Sequence, residues 1–307
     1  MAQVARALPQ SRMVDLDGPV HVADFGGDGP SIVLVHGLGG SYVNWLATGP
    51  LLARAARVVA LDLVAFGRTP PEGRSSAVGA NTDLLARFIE EEARGPAVVV
   101  GNSMGGMISL MAAARRSDLI AGVVPLDAAL PRESGSGVDG AVALAFASYA
   151  VPGFGEFVLR ARAMRLGPER YVREMLKLVC ADPSRVPADL IAAHVAFASE
   201  RFRTMPYADR MFLDAARSLM ITLAAKRRFL ALVDSITAPG LIIHGARDRL
   251  VPVEAARALA RRRPEWELEI YNDVGHAPEL EVPERLSSSI LGWLDGAGRA
   301  AAIAATS

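Results

Sequence analysis

One stretch limits what this chain can fold into: Val98-Val99-Val100-Gly101-Asn102-Ser103-Met104-Gly105-Gly106. An apolar β-branched run ends abruptly in Gly-x-Ser-x-Gly, and a helix-compatible run, Met107 to Arg116, follows at once. The pattern predicts a strand, a one-residue turn and a helix. A turn that tight holds its central residue at an unfavourable positive φ. It also crowds the backbone on both sides, so Gly101 and Gly105 stand where a side chain would clash. Ser103 is then lifted above the sheet edge at a helix N-terminus, where free N–H groups and the helix dipole favour negative charge. This is the sequence form of a nucleophile elbow. Alone it is weak, since a serine in a small-residue turn also serves as a plain helix cap. It gains meaning only if the rest of the chain supplies a base, an acid and an oxyanion site.

The flanking sequence alternates strand and helix patterns. Arg12 to Leu16 and Val20 to Asp24 are short alternating runs joined by Asp17-Gly18, a hairpin signal. Ile32-Val33-Leu34-Val35 is a continuous apolar strand of the kind buried on both faces, and it runs into His36-Gly37-Leu38-Gly39-Gly40. Asn44 to Arg54 reads as a helix, Val58 to Leu61 as a strand ending at Asp62, and Asn81 to Glu92 as an amphipathic helix. After the elbow, Gly122 to Leu126 is a strand followed by Asp127. This alternation predicts an α/β fold with a mostly parallel sheet covered on both sides.

From Pro131 to about Ser235 the alternation stops, and helical patterns punctuated by prolines follow one another. We read residues 131–235 as a helical insertion in an α/β core made of 12–130 and 236–296. Within it Gly140 to Gly155, the longest uncharged stretch, reads as buried or lid-like and is too short to span a bilayer comfortably. Strand character returns at Gly240 to His244 and at Leu268 to Tyr271, with helices over Pro252 to Arg263 and Pro283 to Leu294. The Gly/Ala-rich tail, 297–307, is expected to fray.

In open α/β sheets, reactive groups gather at the carboxyl ends of the strands. Four candidates fall there: the His36-Gly37-Leu38-Gly39 loop, Ser103, Asp248 after Leu241 to His244, and His276 after Leu268 to Tyr271. A serine hydroxyl needs a base, and imidazole is the group suited to that near neutral pH. A buried carboxylate then fixes the tautomer and stabilises the imidazolium. The developing oxyanion needs preorganised donors, for which the N–H groups of Leu38 and Met104 are the candidates. Asp127 is the rival to Asp248 for the acid. His36 is placed to brace its loop, His244 to pack under the site, and His21 and His194 read as structural.

The four motifs His36-Gly37-Leu38-Gly39-Gly40, Gly101-Asn102-Ser103-Met104-Gly105-Gly106, Gly245-Ala246-Arg247-Asp248-Arg249-Leu250-Val251-Pro252 and Gly275-His276-Ala277-Pro278 stand in the order Ser, Asp, His. Together they resemble the α/β-hydrolase superfamily in its capped esterase/lipase-like branch, over about Val20 to Leu294. The resemblance implies an α/β-hydrolase fold, a mostly parallel eight-stranded sheet flanked by helices, with the insertion as an all-helical cap. It implies Ser103 as nucleophile, His276 as base, Asp248 as orienting acid, and Leu38 and Met104 as oxyanion donors. His36, Gly37, Gly39, Asn102 and Asp127 are the expected substrate-binding neighbours. The implied activity is hydrolysis of carboxylic esters or lactones with a hydrophobic portion. The elbow also resembles that of the meta-cleavage-product hydrolases, which break carbon–carbon bonds. Against that reading, the loop after His36-Gly37 lacks the proline usual there, and Ala277 stands where that group commonly has an aromatic residue. A non-catalytic ligand-binding protein on the same scaffold is a third reading. Ser103 argues against epoxide hydrolases and haloalkane dehalogenases, which attack through an aspartate.

Composition excludes several other classes. Lys+Arg and Asp+Glu balance at 33 each, which argues against nucleic acid as the main partner. The single cysteine, Cys180, rules out an intrachain disulfide and a cysteine-rich metal site. No histidine or carboxylate group has metal-ligand spacing along the sequence, so neither metal nor cofactor is expected. Gly26-Gly27-Asp28-Gly29 is a turn and not a nucleotide loop, and Arg261-Arg262-Arg263 reads as a solvated helix end. No secretory signal is read over Met1 to Met13 and no membrane span anywhere, so a cytoplasmic location is the expectation.

Overall fold

The computed structural model describes residues 8–298 except 94, 133–136, 138 and 152. The stretch read for a signal before residue 8 and the tail beyond 298 lie outside the described residues. In chain order the elements are β1 (Gln10–Asp15), β2 (Pro19–Gly26), β3 (Ser31–Val35), the single turn α1 (Gly49–Leu52), β4 (Arg57–Leu61), α2 (Val78–Glu92), β5 (Ala97–Asn102), α3 (Met104–Arg115) and β6 (Ile120–Leu126). Five helices follow without a strand: α4 (Gly140–Ala150), α5 (Phe154–Val179), α6 (Ala188–Thr204), α7 (Ala208–Ala224) and α8 (Lys226–Asp234). The chain then resumes with β7 (Leu241–Gly245), α9 (Val253–Arg262), β8 (Glu267–Tyr271), the short α10 (Pro278–Glu281) and α11 (Pro283–Trp293).

The eight strands form one sheet in the order β1-β2-β4-β3-β5-β6-β7-β8. The first hairpin pairs antiparallel and β2 joins β4 antiparallel, while every pairing from β4 to β8 is parallel. Both faces are covered, which is why the central strands are uninterrupted apolar runs. Val33 and Val35 of β3 and Val99 of β5 share one core layer with apolar residues of α2 and α3. Ile32, Leu34, Val98 and Val100 share the other with Leu286, Ile290 and Trp293 of α11.

Two readings of the sequence change. The helix expected over Asn44 to Arg54 is broken into a 3-10 turn, Tyr42–Trp45, and the single turn α1. Pro50 has no N–H to bond Leu46 and its ring would strike that carbonyl, so one continuous helix is impossible. Arg263 is not solvated: it is buried, donates to the carbonyls of Val233 and Ile236, and stacks its guanidinium 4.3 Å from the Trp266 ring centroid.

Among the inserted helices, α5 is kinked at Gly167 (φ 64), immediately before Pro168. The uncharged stretch Gly140 to Gly155 is mostly exposed and not buried: only Val142 and Tyr149 of α4 are covered, and Leu144, Val151 and Phe154 face outward. No helix among the described residues is long and apolar enough to cross a membrane.

The parallel strands bring their carboxyl ends together through glycine contacts that are testable. A Cβ on Gly105 would lie 2.3 Å from the Val35 carbonyl oxygen, a backbone atom with nowhere to go, whereas one on Gly79 in the first turn of α2 meets nothing within 4 Å. Gly105→Ala should therefore cost at least about 2 kcal/mol in urea unfolding. Gly79→Ala should be neutral or stabilise by up to about 0.5 kcal/mol; equal effects of the two would contradict the packing described.

Candidate active site

Ser103 occupies the turn between β5 and α3 with φ 54 and ψ −118, the positive φ that the one-residue turn demands. That conformation is costly for a non-glycine residue, so the surroundings must hold it. They do so through Ser103 N–H donating to Leu126 O at 3.0 Å and Ala129 N–H donating to Ser103 O at 2.9 Å. The crowding foreseen at the flanking glycines is present: a Cβ on Gly101 would lie 2.3 Å from the Gly105 carbonyl oxygen. Met104 opens α3, so its N–H belongs to the first-turn groups that lack an intrahelical acceptor. The loop after β3 closes through Gly40 N–H to Gly37 O at 3.1 Å, leaving Leu38 at its tip. Gly37 sits directly against the elbow, its ideal Cβ position 3.0 Å from Ser103 Cβ.

His276 and Asp248 come together although 28 positions separate them. His276 Nδ1 and Asp248 Oδ2 are 2.6 Å apart, and both side chains are buried. Backbone approaches fix this pair. Gly245, ending β7, lies so close to the β8–α10 loop that a Cβ would be 2.1 Å from Gly275 O. His276 N–H donates to Val179 O at the end of α5, at 2.6 Å, and Asn102 Nδ2 donates to His276 O at 2.9 Å. The residue beside Ser103 thus holds the backbone of His276. Asp248 Oδ1 also accepts from the N–H groups of Leu250, at 2.7 Å, and Val251, at 3.0 Å. Burial alone would raise the Asp248 pKa, but the facing imidazole and these donors hold it below the usual carboxylate value. For His276 burial works against the charged ring, yet the Asp248 carboxylate outweighs it and leaves the imidazole more basic than usual.

The other expected neighbours are placed differently from one another. His36 is fully buried with both ring nitrogens engaged: Nδ1 donates to Gly37 O at 2.8 Å, and Nε2 accepts from Leu63 N–H at 3.1 Å. Its ring therefore braces the loop and is not available to a substrate, and burial lowers its pKa. Asn102 is likewise committed to the His276 backbone. Gly39 (φ 76) lies under α7, where a Cβ would meet the Phe212 ring at 3.0 Å. Asp127 is buried just after β6, with an oxygen within 4.8 Å of ligand atoms of Asp248 and His276, and its Oδ1 accepts from Gly245 N–H at 2.8 Å. His244 Nε2 donates to Val251 O at 3.0 Å and lies 3.5 Å from Asp248 Oδ2. His21 belongs elsewhere: Nδ1 bonds Asp62 Oδ2 at 2.7 Å and Nε2 meets Ser11 Oγ, a Ser-His-Asp chain on the β1–β2 edge. Asp62 there also accepts the N–H groups of Tyr42 and Arg68 and so anchors two loops.

Two glutamates escaped the sequence reading. Glu281 accepts from the N–H groups of Gly275, Ala181 and Asp182 and so fastens the end of α5 to the His276 loop. Glu279 is fully buried, with Oε1 taking a bond from Asn44 Nδ2 at 3.3 Å and Oε2 without a partner among the described residues. Their only sequence signal is a pair of acids in the first turn of a short helix, which usually reads as dipole complementation. The fold also gathers one ligand-capable atom each from Asp127, Asp248 and His276 within 4.8 Å, a grouping that spacing along the chain did not reveal. The surface clefts lined by Leu130, Leu230 and Leu259, and by Ala225 and Arg227, contain none of these residues.

A strained serine opens α3, a glycine-rich loop lies against it, and an imidazole–carboxylate pair is tied to the same strand end through Asn102. The family model of the alpha/beta hydrolase fold matches residues 30–281. The chain belongs to the alpha/beta hydrolase fold family. Within the family, it is 30% identical over 267 residues to a pimeloyl-[acyl-carrier protein] methyl ester esterase of Aromatoleum aromaticum, covering 83% of this chain and 94% of that one. It is 22% identical over 284 residues to a 2-hydroxy-6-oxononadienedioate/2-hydroxy-6-oxononatrienedioate hydrolase of a Pseudomonas species, covering 91% and 93%. A third relative, the dihydrolipoyllysine-residue acetyltransferase component of the acetoin cleaving system of Pseudomonas putida, is 26% identical, and the alignment spans 65% of its length. The solved structure of a putative lipase from Acinetobacter baumannii shares the fold of this alpha/beta hydrolase with a TM-score of 0.74 at 21% identity, covering 93% of this chain and 91% of that one.

Burial pushes the Glu279 carboxyl up to about 7 from the ordinary 4.5, against the bond from Asn44 and the nearby His276. Between those two values the folded protein holds a proton that the unfolded chain has released, so this group makes stability fall as pH rises through the window. Glu279→Gln should remove that loss. Its midpoint of thermal unfolding, relative to the parent, should rise from about pH 5 to about pH 8 by the equivalent of roughly 3 kcal/mol. A parent-minus-variant difference independent of pH would contradict this assignment.

Proposed function

We propose that this hydrolase cleaves carboxylic esters, lactones among them, whose acyl or alcohol portion is apolar. The observation that carries the reading is the buried 2.6 Å bond from His276 Nδ1 to Asp248 Oδ2. It fixes the proton on Nδ1 and leaves Nε2 free to act as a base. Ser103 Oγ attacks the carbonyl carbon while His276 Nε2 takes its proton, and Asp248 stabilises the imidazolium. The negative charge that collects on the carbonyl oxygen is held by the N–H groups of Leu38 and Met104. The imidazolium then gives its proton to the departing alkoxide, leaving an acyl group on Ser103. A water deprotonated by His276 attacks that ester, and the carboxylic acid departs as Ser103 regains its proton.

The apolar preference rests on what surrounds Leu38. Residues of α4, α5 and α7, among them Phe146, Tyr149, Leu159, Phe212 and Leu213, form one apolar cluster with it. We read the helices between β6 and β7 as a cap whose cluster covers the hydrophobic part of the substrate. The esterase relative supports this ordering. A carbon–carbon bond hydrolase is the second reading, favoured by the elbow sequence and by the nonadienedioate hydrolase relative. Esters of graded acyl length, lactones and vinylogous diketone acids, offered to the parent and to Ser103→Ala, separate the two. Ester turnover that falls at least about 10³-fold in Ser103→Ala supports the proposal. Diketone turnover without ester turnover favours the second reading, and undiminished ester turnover in the variant contradicts both.

The basicity of His276 sets the pH dependence. The ring must be neutral to accept the Ser103 proton, and Asp248 holds its pKa above the ordinary 6.5. The acidic limb of kcat/KM for a p-nitrophenyl ester should therefore have its midpoint above 6.5, with activity lost as pH falls. A midpoint well below that value would contradict the pairing.

A further inference from the structure

Only one side of the longest uncharged stretch takes part in the proposed function. Gly140 to Gly155 builds α4 and enters α5, and these helices are apolar on two sides. The inner side, with Phe146, Tyr149 and Leu159, belongs to the cluster over Leu38. The outer side meets water. Leu144, Phe157 and Met164 are 73%, 68% and 74% exposed, and Val151 and Phe154 are about half exposed. Scattered exposed hydrophobics are ordinary on a soluble protein. These five are not scattered: they are half of the ten large ones exposed among the described residues, and they share two consecutive helices and the turn between them.

On α5 Phe154, Phe157, Ala161 and Met164 recur at spacings of three and four, so they form one stripe, which ends before the kink at Gly167. The same periodicity sets Arg160 on one side of the stripe and Arg165 on the other, and both are exposed. The acids around them are already taken. Glu156 accepts from Gly153 N–H and faces Arg217, Glu169 pairs with Arg173, and Glu174 pairs with Lys177. Asp139 caps α4 and holds Arg249. Arg160 and Arg165 have no acid among the described residues. The inserted helices as a whole carry the same sign: residues 131–235 hold 15 Lys and Arg against 11 Asp and Glu, in a chain that balances overall.

A second copy of this chain is a poor occupant of that face. A two-fold contact would bring Arg160 and Arg165 against their own counterparts, with no free acid to separate them. An anionic lipid surface matches both properties. Apolar side chains of an amphipathic helix enter the boundary between headgroups and acyl chains, and arginines beside them meet the phosphates. We propose that the outer face of α4 and the first half of α5 docks this protein on an anionic lipid bilayer, with Leu144, Val151, Phe154, Phe157 and Met164 inserted and Arg160 and Arg165 against the headgroups. The two helices lie along the surface and do not cross it, since no helix among the described residues is long and apolar enough to span a membrane. The docking is independent of the reaction at Ser103, so its test does not depend on the hydrolase reading.

The experiment is co-sedimentation of the full chain with vesicles of phosphatidylcholine alone, or of phosphatidylcholine and phosphatidylglycerol in equal parts. The parent should bind the anionic vesicles about 10-fold or more tightly than the neutral ones. Phe157→Ser should lose about 10-fold or more on the anionic vesicles, and Arg160→Gln with Arg165→Gln should lose a similar factor there and nothing on the neutral ones. Ser103→Ala should bind as the parent does. All these side chains but Ser103 are exposed, so melting curves should match the parent; if Phe157→Ser melts lower, Phe154→Ser answers the same question. No binding to the anionic vesicles, or binding that neither the Phe nor the Arg variants weaken, overturns the inference. Self-association without vesicle binding, abolished by Phe157→Ser, gives the face to a second copy and overturns it. Retention of polyglutamate through the two arginines, again without vesicle binding, gives the face to an acidic protein and overturns it too.

Discussion

The site depends on a hydrogen bond between an imidazole and a carboxylate that have been taken out of water together. Separately, burial disfavours the charged form of each. Paired at 2.6 Å, the two offset that penalty, so the ring is more basic than in water and the acid stays ionised. The bond exists because backbones touch where β7 and β8 end, at Gly245 and Gly275, with no room for side chains between them. The elbow is coupled to the same point through Asn102, whose amide holds the His276 carbonyl oxygen. Strain at Ser103, the contact of β7 with the His276 loop, and the charge state of two buried side chains are therefore one arrangement.

The inserted helices are tied to that arrangement rather than resting loosely on it. The end of α5 contributes Val179 O to the His276 N–H, and Glu281 gathers the N–H groups of Gly275, Ala181 and Asp182. A shift of α5 would pull directly on the loop that carries His276. At the other side, Phe212 of α7 rests on Gly39 of the loop after β3. In the proposed function these contacts let the covering helices sense and hold both halves of the site.

Much of this was legible in the sequence. The parallel sheet followed from apolar runs such as Val98 to Val100 alternating with helical periods, since a strand buried on both faces shows no polar break. Ser103, Asp248 and His276 could be singled out because each follows a strand of the sheet, and strand ends of one polarity share an edge. What the sequence hid was set by contact and not by pattern. The break at Pro50 was written in a single residue inside a stretch that reads as one helix. Arg263 looked like one of three solvated arginines, and only the fold brings its guanidinium over Trp266 and against the carbonyls of Val233 and Ile236. Asp127 stood in the sequence as the rival acid to Asp248 and Glu279 gave no signal beyond a first-turn acid, and only the fold shows that both are fully buried. His36, by contrast, was legible as the brace of its loop, and its two nitrogens are committed to the backbone around it.

The central claim is that the Asp248–His276 pair activates Ser103 and no other serine. The chain offers its own control, because Ser11 stands against His21 and Asp62 in a similar chain of side chains but on an edge strand. The direct measurement is reaction with a fluorophosphonate, followed by peptide mapping of the adduct. The account predicts a single adduct on Ser103, formed more slowly as His276 becomes protonated at low pH. An adduct on Ser11 with Ser103 unmodified, or labelling of Ser103 at the same rate in His276→Ala, would contradict it.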